Sequence, residues 1–316
     1  MIQAENLSML YGPVTALDKA NFEIKKGEVI GLLGPNGAGK STTLKILTSY
    51  IYPTMGTAYV SGKDVRKDPV AVRKMIGYLP EQLPLYMDME VCEYLRFVGN
   101  ARGLYGLNLQ KRLDWVVEKC GLKMMYRKII RELSKGYKQR TALAQALLHD
   151  PEIIILDEPT SGLDPHQILE IRALINELAQ EKTVIFSTHI LQEIEAITDH
   201  IIVINRGKIV ANGTIPDIRK QALAHQRLQL AVEKDTSSDD VKKALEEIDH
   251  IEKVEHQDRN DEIVYTIESS NEKNPLADIS KLVREKSWNF TELKRHPLTL
   301  EEVFLALTVN AKGEKA

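Results

Sequence analysis

The chain has 316 residues, of which 43% are hydrophobic and 28% charged, with a formal net charge of −3. That length holds one large domain and a small one, and the composition is that of a folded globular protein, not a disordered or fibrous one. The near-neutral balance argues against a nucleic-acid partner, and the two cysteines, Cys92 and Cys120, lack metal-ligand spacing and read as reduced cytosolic thiols.

From the N-terminus, MIQAENLSMLYG shows no basic segment followed by an apolar run, so no signal peptide is expected. From Met1 to about Lys220 short aliphatic runs alternate with helical patterns. Glu28 to Leu33 predicts a strand that feeds directly into glycines and then a helix from Ser41 to Thr48. Between them stand Gly34, Pro35, Asn36, Gly37, Ala38, Gly39, Lys40, Ser41 and Thr42, a G-x-x-x-x-G-K-S loop in its strand-to-helix context. Glycines let the backbone wrap so that N–H groups and the helix N-terminus point at phosphates. Lys40 places a cation on the β and γ oxygens, and Ser41 offers a hydroxyl to Mg²⁺. This loop predicts ATP binding.

Lys74 to Leu79 reads as another short strand, whereas Glu90 to Arg131 holds no strong strand and predicts a helical insertion, in its widest extent about 84–150. Ile153 to Leu156 and Thr183 to Ser187 are compact apolar runs of the kind that form buried parallel strands. The first ends in Asp157-Glu158, two carboxylates at the strand's C-terminal edge, where ligands sit in open α/β sheets. Asp157 suits magnesium and Glu158 suits an attacking water as general base. Gln167 to Gln180 carries apolar residues at helical spacing, and Asn205 to Lys208 reads as a hairpin turn. The apolar runs fall far short of the roughly 20 residues a membrane helix needs, so any membrane role would pass through a partner.

A second unit starts near His225. Strands at Arg227–Val232, Ile251–His256, Glu262–Ile267 and Asn289–Leu293, with helices at Asp239–Ile248 and Pro275–Glu285, give the ferredoxin-like order β-α-β-β-α-β. The histidines His225, His250, His256 and His296 show no metal spacing and read as surface residues. A last helix is expected over Leu300–Val309, with Thr299 and Glu302 in capping-box register, and the tail 311–316 reads as disordered.

Leu133-Ser134-Lys135-Gly136-Tyr137-Lys138-Gln139-Arg140 resembles the signature motif of ABC-type ATPases, with Lys135 and Tyr137 departing from the usual L-S-G-G-Q. Gln82 resembles the Q-loop glutamine, Ser161-Gly162-Leu163-Asp164 the D-loop, His189 the switch histidine, and Tyr11 the aromatic that stacks on adenine. The resemblance covers residues 1 to about 220. It implies a P-loop NTPase α/β sheet domain over 1–222 with a helical insertion, followed by the small α+β domain at 223–310. It also implies that Ser134, Gly136 and Asp164 contact ATP bound to a second chain, that His189 reports the γ-phosphate, and that Gln82 reaches Mg²⁺ or the attacking water.

Members that act on DNA carry coiled-coil arms between phosphate loop and signature, and the interval from Thr42 to Leu133 has no sustained heptads. Translation-associated members carry two cassettes in one chain, whereas this chain carries one. The C-terminal Leu300 to Leu307 resembles the end of bacterial ABC-2-type cassettes, mostly exporters. The resemblance thus implies a cytoplasmic ATPase, peripheral on the inner face of the membrane. It would pair with a second copy or a paralogous cassette and with a separate transmembrane permease subunit. A soluble ABC ATPase that drives a conformational change in a non-transport partner is the alternative.

Overall fold

The computed structural model describes residues 1–198, 200–222, 225–234, 238–259, 262–270, 275–295 and 301–304. It divides into two compact units, Met1–Ile215 and Pro216–Ala316, against a sequence expectation of a break at 222/223.

The first unit opens with β1 (Ile2–Tyr11), β2 (Val14–Ile24), β3 (Val29–Leu33) and α1 (Lys40–Leu47). There follow β4 (Met55–Val60), β5 (Lys63–Asp64), α2 (Pro69–Met75) and β6 (Ile76–Leu79). Helices α3 (Val91–Ala101), α4 (Gly106–Lys119) and α5 (Lys135–Leu147) form the insertion. The unit ends with β7 (Ile153–Asp157), α6 (Pro165–Ala179), β8 (Thr183–Thr188), α7 (Leu191–Ile197), β9 (His200–Asn205) and β10 (Lys208–Thr214).

The apolar runs do become a sheet, in the order β10-β9-β3-β8-β7-β6. Strands β9, β3, β8, β7 and β6 are mutually parallel, and β10 closes one edge as an antiparallel hairpin. Every residue of β7 and β8 is buried, which explains why these strands read as continuous apolar runs without alternation. The stretch Lys74–Leu79 is corrected: Pro69 starts a helix that runs through Met75, and only Ile76–Leu79 is strand. A four-stranded antiparallel sheet, β2-β1-β4-β5, is the element the sequence did not announce. Register shifts between Ala4 and Leu7, Leu7 and Met9, and Met9 and Leu10 break the two-residue alternation that would have revealed β1 and β2. Phe22 and Val60 of this sheet share one core with Leu44 and Ile46 of α1 and Ile155 and Ile185 of the parallel sheet.

In the insertion, Glu93 accepts from the Glu90 backbone N–H at 3.1 Å, starting α3 with a capping box. A Cβ on Gly99 would lie 2.3 Å from Leu109, so this glycine lets α3 and α4 cross closely. Cys92 and Cys120 are both free thiols, and burial pushes Cys120 up to about 12. No helix among the described residues is long and apolar enough to cross a membrane.

The second unit comprises α8 (Ile215–Ala222), β11 (His225–Glu233), α9 (Ser238–Glu246), β12 (Ile251–Arg259), β13 (Glu262–Ser270), α10 (Pro275–Glu285) and β14 (Phe290–Arg295). Its sheet is antiparallel in the order β12-β13-β11-β14, the connectivity of the split β-α-β unit. Leu228, Leu230, Tyr265 and Ile267 pack against Val241, Leu245, Ile279 and Val283 of the two helices. His250 corrects the surface reading: it is 8% exposed, and its Nε2 lies 3.3 Å from Asp278 Oδ2. An isolated histidine in sequence gave no sign that α10 would fold over it. His256 is exposed, as expected, while the side chains of His225 and His296 lie outside the described residues. Residues 301–304 are helical; Thr299, the rest of the expected helix and the tail 311–316 lie outside the described residues.

Helix α5 stops at Leu147, short of His149, and Arg112 donates to the Leu147 and Leu148 carbonyls at 2.8 and 3.0 Å. His149 Nε2 meets the Ile76 carbonyl at 3.1 Å, tying the helix end to the start of β6. Burial, aided by Arg102, lowers the His149 imidazole to about 4. The folded chain therefore resists a proton that the unfolded chain accepts near pH 6.5. Stability is full above pH 6.5 and falls by up to about 3 kcal/mol as pH descends to about 4. Denaturant unfolding of the wild type and of His149→Gln across this window checks it: the glutamine variant shows a correspondingly flatter pH dependence.

Candidate functional site

Adjacent parallel strands β3, β8 and β7 deliver their C-terminal ends to one edge of the sheet; β7 and β8 end in polar residues and β3 runs into a glycine-rich loop. After β3 comes the loop from Gly34 to Thr42. Gly37 and Gly39 adopt φ of +77° and +113°, a region open to glycine. A Cβ on Gly39 would stand 2.5 Å from the Ala16 carbonyl, and one on Gly34 would stand 2.3 Å from that of Ile204. The backbone is thus wrapped too closely for any side chain. Lys40, 5% exposed, folds back so that its Nζ donates to the Gly34 carbonyl at 2.8 Å and lies 3.3 Å from Glu158 Oε1.

Asp157 and Glu158 follow from β7 and are 1% and 8% exposed. Asp157 Oδ1 accepts from Ser41 Oγ at 3.0 Å and from Ser187 Oγ at 2.6 Å. Glu158 sits at φ +50°, a left-handed conformation that is costly for a non-glycine residue. Its N–H donates to Ser187 Oγ at 3.0 Å, which holds that conformation from the neighbouring strand. Glu158 Oε2 meets His189 Nδ1 at 3.0 Å, so the carboxylate is gripped by Lys40 on one oxygen and His189 on the other. Buried Glu193 bridges Thr160 and Thr188, locking the loop after β7 to the end of β8.

Lys40, Glu158 and His189 line a cavity of about 520 Å³ with Tyr11, Ala16, Asn36, Gly37, Ala38, Gly39, Ser41, Thr42, Glu81 and Ser161. The residues fit a nucleotide with a divalent cation. A bare-glycine cradle and a buried ammonium suit phosphates, and Ser41 beside Asp157 pairs one hydroxyl with one carboxylate. Among the described residues no cluster of three His, Cys, Asp or Glu side chains could cage a metal unaided. Mg²⁺ typically takes one or two protein ligands and completes its shell from phosphate and water, and the Ser41–Asp157 pair fits that donor set.

Of the residues singled out in the sequence, Tyr11, Lys40, Ser41, Glu158 and His189 line this one cavity. Gln82 is not among them; it lines a neighbouring cavity of about 420 Å³, which Asp157 also touches. Ser134, Gly136 and Asp164 lie outside the cavity of their own chain. Ser134 caps α5, accepting from the Tyr137 N–H at 3.4 Å, and Asp164 caps α6, accepting from the Gln167 N–H at 2.9 Å. Sequence reasoning missed Ser187 and Glu193. The hydroxyl run Ser187-Thr188 just before His189 was the available signal.

A family model described as "ABC transporter" matches residues 17–161. A second, described as "AAA domain, putative AbiEii toxin, Type IV TA system", matches residues 129–195. The chain is 37% identical over 233 residues to the bacitracin transport ATP-binding protein BcrA of Bacillus licheniformis, covering 73% of this chain and 75% of that one. It is 40% identical over 223 residues to the probable multidrug ABC transporter ATP-binding protein YbhF of Escherichia coli. That match covers 70% of this chain but spans only 38% of that relative's length. Among solved structures, a dimeric ATP-binding cassette in a post-hydrolysis state bound to ADP and Pi superposes with a TM-score of 0.63 at 27% identity, covering 68% of this chain and 99% of that one. With the phosphate loop, the paired carboxylates and the histidine converging at one sheet edge, the chain belongs to the ABC transporter family as an ATP-binding cassette.

Proposed function

We propose that the chain binds ATP with Mg²⁺, hydrolyses it to ADP and phosphate, and thereby powers an exporter whose membrane-spanning subunits are separate chains. The observation that carries this reading is the convergence of Lys40, Glu158 and His189 on one cavity beneath the phosphate loop. Gly34 to Thr42 cradles the phosphates, Lys40 neutralises them, and Tyr11, 48% exposed at the cavity rim, stacks on the base. Ser41 and Asp157 would hold Mg²⁺, with Gln82 as a further ligand. When bound, the cation offsets the charge that develops on the transferred phosphoryl group. Glu158 orients the attacking water and takes its proton, and His189 steadies both the carboxylate and the terminal phosphate.

Two chains closing on two ATP molecules supply the remaining contacts, with Ser134, Gly136 and Asp164 of each chain meeting nucleotide held by the other. The dimeric, post-hydrolysis relative supports this arrangement, as does the position of these residues away from their own cavity. Release after hydrolysis makes closure a switch. The names of the bacitracin and multidrug relatives support export. In the insertion, Tyr86 packs against Tyr94 and Phe97 with ring centroids 5.9 and 5.5 Å apart, while Tyr86 and Phe97 remain about half exposed. This patch receives a helix of the membrane subunit, and the chain works at the cytoplasmic face.

Three outcomes test the reading. Glu158→Gln keeps ATP binding but loses about 3–5 kcal/mol of barrier lowering, and it traps an ATP-bound dimer visible by light scattering. Wild-type turnover in that variant would refute the role of Glu158. Ser187→Ala, which strips a hydrogen bond from both Asp157 and the Glu158 N–H, lowers turnover by about tenfold, measured by phosphate release. Phe97→Glu abolishes ATP-driven transport in vesicles holding the membrane subunit while basal hydrolysis persists; undiminished transport counts against the docking patch.

A further inference from the structure

Lys135 stands where the family's signature carries glycine, and its charge alone suggests a cation waiting for phosphate. The structure places its side chain otherwise. A Cβ built on Gly162 would lie 2.0 Å from Lys135 Nζ, 3.0 Å from its Cε and 3.5 Å from its Cδ, so the tip of the lysine abuts the bare face of this glycine with its stem behind it. Gly162 also needs its freedom for a φ of +69°. The turn is thus shaped to receive the lysine, and Lys135 forms no ion pair within 4.0 Å among the described residues.

The contact has two neighbours in the same seam. Buried Gln139, one turn along α5, donates from Nε2 to the Pro159 carbonyl at 2.9 Å. Gly136 faces the Gln167 side chain, to which a Cβ would come within 2.5 Å. The first turns of α5 are therefore fastened along the segment that leaves Glu158. Within that segment the Ser161 N–H donates to the Glu158 carbonyl and the Leu163 N–H to the Thr160 carbonyl, each at 3.2 Å. Ser161 also lines the nucleotide cavity with Glu158.

We propose that Lys135 is a positioning residue, a strut between the Ser134–Gly136 turn and the Gly162 turn. Through it, engagement of Ser134 and Gly136 with one nucleotide adjusts Glu158 at the other. The proposal rests on the reading that Ser134 and Gly136 serve the nucleotide of a second chain. The holding is a matter of reach and shape, not of an ion pair: Nζ abuts Gly162 with Cε and Cδ behind it, and the side chain meets no carboxylate there. A methionine keeps most of that stem without the ammonium, and a glycine removes all of it.

Two measurements on the full-length chain test the strut. Amide exchange without nucleotide is expected to quicken about three- to tenfold at Ser161 and Leu163 in Lys135→Gly, and to stay at the wild-type rate in Lys135→Met. In ATP titrations of hydrolysis, Lys135→Gly brings the Hill coefficient down to one, whereas Lys135→Met keeps the wild-type value above one. Unchanged exchange in Lys135→Gly overturns the strut. A methionine variant as impaired as the glycine variant overturns it too, since the ammonium, and not the reach of the side chain, would then be what matters. A wild-type Hill coefficient of one removes the link between sites. The exchange comparison needs no dimer, so it still decides on the strut if Glu158→Gln fails to dimerise with ATP and the two-chain reading falls.

Discussion

One carboxylate oxygen, Asp157 Oδ1, joins the three strands on which the site is built. It accepts from Ser41, at the start of the helix that follows β3, and from Ser187, near the end of β8, while Asp157 itself terminates β7. Buried at 1% exposure, Asp157 needs hydrogen-bond donors converging on it. The two serines provide them, and in doing so they set the phosphate loop, the carboxylate pair and the histidine-bearing turn in one frame. Ser187 then serves a second purpose by receiving the Glu158 N–H on both its hydroxyl and its carbonyl, so one residue of the neighbouring strand touches both acidic residues.

Legibility in the sequence followed how local each device is. The phosphate loop is a contiguous pattern between a strand and a helix, and its glycines are needed for reasons visible in the string itself. The buried parallel strands announced themselves as short apolar runs because both faces are covered. By contrast, β1 and β2 were hidden: their pairing slips at three places, and a bulged strand loses the alternation by which it would be recognised. Lys74 and Met75 were misplaced because a helix end and a strand start abut with no turn residue between them.

Side-chain roles set by partners distant in sequence were the least readable. Ser187 and Glu193 gain meaning only once β7 and β8 are known to be neighbours, and His250 is buried only because α10 folds across it. Lys135 is instructive in the same way. Its charge invites a phosphate, yet its place is set by a glycine 27 positions downstream whose missing side chain makes room for it. In the C-terminal unit, helix and strand periodicity sufficed for the connectivity, since each element there is long enough to show its own repeat.

The left-handed backbone at Glu158 bears on how this chain can evolve. A residue with a Cβ pays roughly 1 kcal/mol or more to occupy that region, a cost absent for glycine. Drift toward greater thermodynamic robustness would therefore favour glycine over the carboxylate that Lys40 and His189 grip. If Glu158 serves turnover as proposed, selection at this codon opposes a standing conformational incentive, and a lineage freed from the need for turnover would lose its acid here early.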